Sequence, residues 1–497
     1  MVHDVLIVGG GIHGVAVARD AALRGLSVLL LEQGDLASGT SSRSSKLIHG
    51  GIRYLETGQF GLVRDALRER VILLDTAPRR LVRPVQFLIP HYRGAGRPRA
   101  LVALGLSIYA ALAGRHPLAA HESIGPKEAL ALEPALTPQG LAGASLYWDA
   151  QMDDALLCVA VAVAAAESGA EIRTHTSLVA LRQEGGVWRA RHRDARNGGE
   201  GEARARAVVN AAGPWVEEVR ALAGRGRDAG LRRSRGTHVV VPALTGGRAL
   251  LLTARRDGRV FFVLPWGGRS LIGTTDIDDT SPPGDVGPTV EDVRYLLEET
   301  SRLLPSVTPQ TRPLRAFAGV RSLLRTRASD PGTNPREHRI LVEGTLVSLI
   351  GGKYTTHRSL AERVVDRLVA LLGMRARPCA TATTAIPDRQ EEAIADLAGP
   401  HPERAGLGNG LEISEAQALH AVSGEMARGL EDVLLRRTRL WLDGSALRRA
   451  APRVAGWIAP ALEWGDALRE MELRRFLAAL DREEAVLRQA VGIRAAR

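Results

Sequence analysis

The stretch Asp4-Val-Leu-Ile-Val-Gly-Gly-Gly-Ile-His-Gly-Val-Ala-Val-Ala-Arg-Asp-Ala-Ala-Leu-Arg-Gly-Leu-Ser-Val-Leu-Leu-Leu-Glu32 decides the fold. Residues 5–8 are an unbroken apolar run, 15–23 follow a helical period, and 27–31 are apolar again, so the order is strand, helix, strand. Gly9, Gly11 and Gly14 fall at the GxGxxG spacing between the first strand and the helix. The first glycine allows the tight turn, the second lets a pyrophosphate approach the backbone, and the third lets helix pack on strand. The helix N-terminus then faces the phosphates. Glu32 ends the second strand, where a carboxylate can bind the two ribose hydroxyls of an adenosine. The unit predicts dinucleotide binding.

Around this unit lie 497 residues, more than one hydrophobic core organises, so two or three units are expected. Apolar residues make up 45% and charged residues 24%, which excludes a disordered chain or a coiled-coil rod. The longest apolar stretches, 101–114 and 155–166, fall short of the roughly 18 residues a spanning helix needs. With a core strand already under way at residue 4 there is no room for a secretory leader ahead of the fold, and a cytoplasmic location is expected. Cys158 and Cys379 form no CxxC pair, so no metal site is expected.

The net charge is +11, but only Lys46, Lys127 and Lys353 among the 66 basic residues are lysine, and most of the arginines read as solvated surface. Residues 76–120 hold seven arginines (79, 80, 83, 93, 97, 99 and 115) and no acidic residue. Within that segment, 101–113 is an apolar helix bracketed by Arg99 and Arg115, a pattern suited to lying on an anionic membrane surface. No interleaved aromatics or recognisable module accompany the charge, so no nucleic-acid partner is expected.

Further along, 145–153 reads as a loop and 154–167 as a long alanine-rich helix. Strands near 171–173, 187–191 and 207–211 then resume the parallel sheet. Runs at 238–241, 260–264, 271–273 and 345–350, separated by Gly/Pro turns, predict an interleaved antiparallel sheet. After Pro378 the pattern is helical, at 414–441 and 446–480. The expected domains are a discontinuous nucleotide-binding domain (1–90, 145–230 and 340–377, within 1–377), an interleaved substrate domain (91–144 and 231–339), and a helical domain at 378–497.

A single GxGxxG is compatible with NAD or FAD. The polar run Ser38-Gly-Thr-Ser-Ser-Arg-Ser-Ser-Lys46 supplies hydroxyls and amides suited to a pyrophosphate and a ribityl chain, which favours FAD. The turn Asn210-Ala-Ala-Gly-Pro-Trp215 allows a close backbone approach at Gly213.

Thr40-Ser-Ser-Arg-Ser-Ser-Lys-Leu-Ile-His-Gly-Gly-Ile-Arg-Tyr-Leu-Glu56 resembles the signature of FAD-dependent glycerol-3-phosphate dehydrogenases. The likeness continues through Arg235–Pro242, Ile272–Asp276, Phe317–Arg321, Pro335–His338 and Gly351–Thr356, and into the helical segment 425–439, covering nearly the whole chain. It implies an α/β chain with a Rossmann-like FAD-binding domain of glutathione-reductase-like or D-amino-acid-oxidase-like type, an interleaved antiparallel β substrate domain and a C-terminal all-α cap. It also implies oxidation of sn-glycerol 3-phosphate to dihydroxyacetone phosphate, with electrons passed to a membrane quinone, by a protein held peripherally on the inner face of the cell membrane. The chain could pair as a homodimer.

By the same resemblance Arg53, Arg321, Arg336 and Lys353 are substrate-pocket positions, and Tyr54 stands at the substrate and, with His49, at the flavin. Thr40, Ser41, Ser42, Ser45, Lys46, Leu47, Gly352 and Thr355 join Gly9, Gly11, Gly14, Glu32 and Gly213 around the cofactor. The cations suit a phosphate ester because guanidinium forks match its oxygens in pairs. Oxidising a secondary alcohol also needs a proton acceptor, for which His238 is the first expectation and His49 the second. Lys353 and Arg321 would further stabilise the developing alkoxide. His13, Ser322, Tyr354 and His357 depart from the residues usual in the family. An oxidase of the same family using O2, and an amine-oxidising flavoenzyme, are the rival readings.

Overall fold

The computed structural model describes residues 1–114, 118, 120–308, 311–325, 338–388, 390–398 and 412–492. Arg115 and Arg336, both singled out above, lie outside the described residues.

Two sheets carry the fold. The first has eight strands, and its parallel core runs in the order Leu346–Gly351, Glu200–Asn210, Val2–Val8, Val28–Leu31, Glu171–Arg173. Val8 pairs with Leu31 on one side and Asn210 on the other, so the glycine turn starts at the carboxyl edge of the sheet. Helices Ile12–Leu23, Asp154–Glu167 and His357–Leu372 share one core with this sheet. The first two are rich in alanine and valine nearly all round, so each is buried on most of its circumference. A meander of Thr176–Glu184 and Val187–Asp194 extends the sheet from Glu200–Asn210 and buries Trp188.

The second sheet has ten strands, nearly all antiparallel, with Leu231–Pro242 between Arg269–Gly273 and Arg315–Leu324. Its membership departs from the sequence reading in three places. Residues 145–153 are not a loop: Leu141–Met152 is a long strand paired with Val82–Tyr92. Its polar residues misled the reading because they are satisfied inside the protein, Asp149 by Arg70 and Tyr109, Gln151 by Arg83 and the Pro265 carbonyl, Ser145 by His91. The 345–350 run belongs to the first sheet, parallel to Glu200–Asn210. An apolar run buried on both faces looks alike in either sheet, and only its neighbours decide. Finally, Leu47–Ile48 and Val82–Tyr92 enter the second sheet before residue 91, so the chain crosses between sheets earlier than expected.

The C-terminal helices Glu415–Ser423, Leu430–Arg436, Gly444–Ala461 and Asp466–Ala490 close around Leu434, Val454, Ile458, Phe476 and Leu480. Ser414 and Gln417 form a capping box at the first, and Asp443 caps the third. Leu487 and Ala490 of the last helix reach the core of the second sheet. Among the described residues no helix is long and apolar enough to cross a membrane. The arginine-flanked apolar run is the helix Arg99–Leu112, which buries Leu106 and Tyr109 and leaves Leu101 and Leu104 53% and 58% exposed.

Candidate functional site

A cavity of about 760 Å³ is lined by residues of both sheets, among them Glu32, Arg53, Arg321 and Lys353. Its first part is built by the glycine turn. Gly9 has φ +111, and a Cβ there would lie 2.7 Å from the Ala211 carbonyl oxygen. A Cβ on Gly14 would lie 1.9 Å from the Gly9 carbonyl oxygen, so the helix can sit this close to the turn only without a side chain. Glu32 accepts from the Gly10 amide at 2.6 Å and the Gly34 amide at 2.8 Å. Burial pushes its pKa up, while these two amides oppose the shift.

The polar run folds back across the helix N-terminus: Ser41 Oγ accepts from the Ile12 amide at 2.9 Å, and Thr40 Oγ1 donates to the Val320 carbonyl at 2.6 Å. Thr40, Ser41, Ser45, Leu47 and His49 line the cavity with Gly9, Gly11, Glu32, Gly213, Gly352 and Thr355. Ser42, Lys46 and Gly14 are not among the lining residues. Lys46 turns away from the cavity into a buried ion pair with Asp154, with its ammonium 4.3 Å from the centre of the Trp441 ring. Its charge therefore braces the loop from behind rather than facing a ligand. The glycine cradle, the Glu32 carboxylate and the lining hydroxyls fit a bound dinucleotide, with Gly9, Gly11 and Glu32 on the adenosine and pyrophosphate side.

The cationic part of the lining gathers side chains from separate elements. Arg53 and Tyr54 stand on the short turn Ile52–Leu55, Arg321 on Arg315–Leu324, and Lys353 just after Leu346–Gly351. Lys353 Nζ lies 3.7 Å from the centre of the Tyr54 ring. Arg321 donates to the Thr275 carbonyl at 3.0 Å, Asp276 at 3.1 Å and Thr274 Oγ1 at 2.9 Å, which aims its guanidinium along the cavity wall.

The two histidines differ. His238 is 2% exposed, its Nε2 is 2.9 Å from Ser45 Oγ, and its ring stacks on Phe317 at 5.1 Å. Burial, with Arg321 and Lys46 nearby, drives its pKa well below the ordinary value, so it is neutral. His49 is half-buried on the cavity wall, edge-on to Phe262 at 6.4 Å, and its amide donates to Thr355 Oγ1 at 3.3 Å. Of the positions that depart from the family pattern, His13 Nε2 is 3.4 Å from the Lys353 carbonyl and lies against Gly352, where a Cβ would come within 2.5 Å of its ring. Phe262, Thr274 and Trp215 also line the cavity. Thr274 and Trp215 lay within quoted stretches, but nothing in the spacing of Phe262 marked it.

Residues 4–358 match the family of FAD dependent oxidoreductases, and residues 344–469 match the C-terminal domain of alpha-glycerophosphate oxidase. A glycerol-3-phosphate dehydrogenase of Mycobacterium leprae is 36% identical, covering 98% of this chain and 89% of the relative. A D-erythritol 1-phosphate dehydrogenase of Brucella abortus is also 36% identical, covering 90% and 96%. The solved glycerol-3-phosphate dehydrogenase of Bacillus halodurans, complexed with FAD, superposes with a TM-score of 0.73 at 26% identity, covering 100% of this chain and 96% of that one.

Proposed function

The chain belongs to the FAD-dependent glycerol-3-phosphate dehydrogenase family, and from that premise we propose that it oxidises sn-glycerol 3-phosphate to dihydroxyacetone phosphate, with a membrane quinone as the final electron acceptor. The observation that carries the reading is the convergence of Arg53, Arg321 and Lys353 on the same cavity as the glycine cradle. FAD, held by Gly9, Gly11, Glu32, Thr40 and Ser41, would supply the two-electron acceptor for the hydride lost from C2. Arg53, Arg321 and Lys353 hold the phosphate dianion and orient the triose, Arg321 presenting a fork and Lys353 a point charge. The same positive field stabilises the alkoxide as the C2 hydroxyl loses its proton. Leu251, Val260 and Phe262 give the cavity an apolar part of its lining.

His49 fits the part of proton acceptor better than His238, which was the first expectation. His238 is engaged with Ser45, and the charges of Arg321 and Lys46 oppose its protonation. Both histidines line the cavity, but His49 is only half-buried and shares the loop of Arg53. His49→Gln is expected to lower kcat by about 100-fold or more with FAD still bound; an unchanged kcat would move the base elsewhere.

Anaerobic mixing with sn-glycerol 3-phosphate tests the whole reading, by bleaching of the flavin band at about 450 nm. Bleaching by the ester but not by glycerol is expected, and a flavin unaffected by the ester would overturn the assignment. The Brucella relative supports a second reading, a longer polyol phosphate, which D-erythritol 1-phosphate in the same experiment would reveal by faster bleaching. Stoichiometric peroxide in air would replace the quinone with O2. The helix Arg99–Leu112, with Leu101 and Leu104 outward and Arg99 at its start, supports docking on an anionic membrane surface. Sedimentation with vesicles of anionic phospholipid, and not with neutral ones, is the expected result.

A further inference from the structure

His49, Arg53 and Tyr54 all stand on one loop, and that loop is fastened to a helix that makes no part of the main cavity. At its start, the buried Gly50 amide donates to Tyr109 Oη at 2.7 Å, from the helix Arg99–Leu112. Tyr109 Oη is 2.8 and 2.9 Å from the two oxygens of Asp149, and Arg70 donates to the same carboxylate at 2.6 Å. Tyr109, Asp149 and Arg70 are 4%, 2% and 2% exposed, so the hydrogen bonds form without competition from water. Burial beside Asp149 raises the phenol pKa well above its ordinary value. The hydroxyl therefore keeps its single proton, gives it to Asp149, and turns a lone pair to the Gly50 amide.

The fit at Gly50 leaves no slack. A Cβ there would lie 2.6 Å from Tyr109 Oη and 2.8 Å from Leu67 Cδ2, so the backbone is pressed against the ring. At the loop's other end Glu56 accepts from Arg97 at 2.7 Å, two residues before the same helix begins. The loop is thus tied at Gly50 and at Glu56, with Arg53 and Tyr54 between the ties and His49, its own amide held by Thr355, just outside the first.

We propose that Tyr109 is a positioning residue of the substrate site, its hydroxyl setting the height of the 49–56 loop over the cavity with Arg97 as the second tie. The inference rests on the phosphate-ester reading above. It differs from a packing role because its effect falls on substrate binding: slackening the loop displaces Arg53 and Tyr54 while the glycine cradle, on other elements, stays in place.

Tyr109→Phe keeps the ring and removes both hydrogen bonds. In the FAD-loaded full chain, KM for sn-glycerol 3-phosphate is expected to rise roughly three- to tenfold, as one or two net hydrogen bonds imply. The same change leaves kcat within about twofold and the flavin spectrum unaltered. Arg97→Gln, at a half-exposed position that does not threaten the core, is expected to raise KM by about twofold. Ser107→Ala, on the exposed side of the same helix, should leave KM unchanged. Wild-type KM in both Tyr109→Phe and Arg97→Gln overturns the inference, as does a Tyr109→Phe enzyme that loses stability with unaltered kinetics. If sn-glycerol 3-phosphate does not bleach the wild-type flavin while D-erythritol 1-phosphate does, the substrate assignment falls, and the same KM comparison is made with the latter ester.

Discussion

Arginines at the junction with the C-terminal helices and an arginine on the cavity wall do opposite work. At the junction with the C-terminal helices, Arg437 grips Asp35 with two bonds of 2.7 and 2.8 Å. Arg436 joins Asp35 to Glu431 and Asp432, and Asp432 in turn holds His175 at 2.8 Å. Asp35 follows Glu32 by three residues, so this cluster fastens the adenosine side of the cradle to the helical domain. On the cavity wall, Arg321 is held by Thr274, Thr275 and Asp276 and is 18% exposed. The residue type is the same; burial separates the struts, Arg436 and Arg437 at 5% and 1% exposed, from the arginine on the cavity wall.

Breaking the strut should cost most. Arg437→Leu leaves Asp35 as a buried charge short of its bidentate partner, and about 3–5 kcal/mol of stability is expected to go, read as an earlier, flavin-releasing melting transition. Removing the cavity cation instead should spare the fold. Arg321→Ala is expected to keep FAD bound and to weaken substrate binding by about 2 kcal/mol or more, roughly 30-fold in kcat/KM. Equal melting losses in the two variants would erase the distinction.

Acid should also divide the regions. His357, behind the cavity, is buried against the Tyr354 carbonyl, and burial pulls its pKa down to about 3. Between pH 6.5 and 3 the unfolded chain therefore holds a proton that the native chain lacks there. Stability falls with pH across that window, by about 1.4 kcal/mol per unit for this one group. His238 adds to the slope in the same direction. Burial alone would raise Asp432, but the His175 hydrogen bond and Arg436 hold its carboxyl well below the usual aspartate range. The stability it contributes persists until the pH falls beneath that range. His357→Gln should flatten the melting slope over pH 6 to 4, and an unaltered slope would remove His357 from the account. The smallest effect belongs to the outer shell: Arg474, 74% exposed beside Glu470, should change stability by less than about 0.5 kcal/mol when replaced by Gln.

The nucleotide half of the site was legible because its requirements are local. Gly9, Gly11 and Gly14 are needed by a turn only a few residues long, and Glu32 comes directly after the strand Val28–Leu31. That Arg53, Arg321 and Lys353 line the same cavity could be expected only through family resemblance, since they come from three distant elements. Lys46 shows the limit of that route: it lies in the signature, yet its ammonium faces Asp154 and Trp441. Polar residues of Leu141–Met152 read as loop because their buried partners stand on other strands and helices.

By itself the sequence determined that this is an α/β dinucleotide-binding chain, because periodicity and glycine spacing report on neighbours within a few residues. Tertiary structure alone decided which of the many arginines brace the interior and which face the cavity. It also decided that His238 is buried and neutral while His49 is only half-buried, although both line the cavity, and that Tyr109 reaches the loop at Gly50. Charge and proton affinity depend on what surrounds a group in space, and those surroundings come from residues that no local pattern brings together.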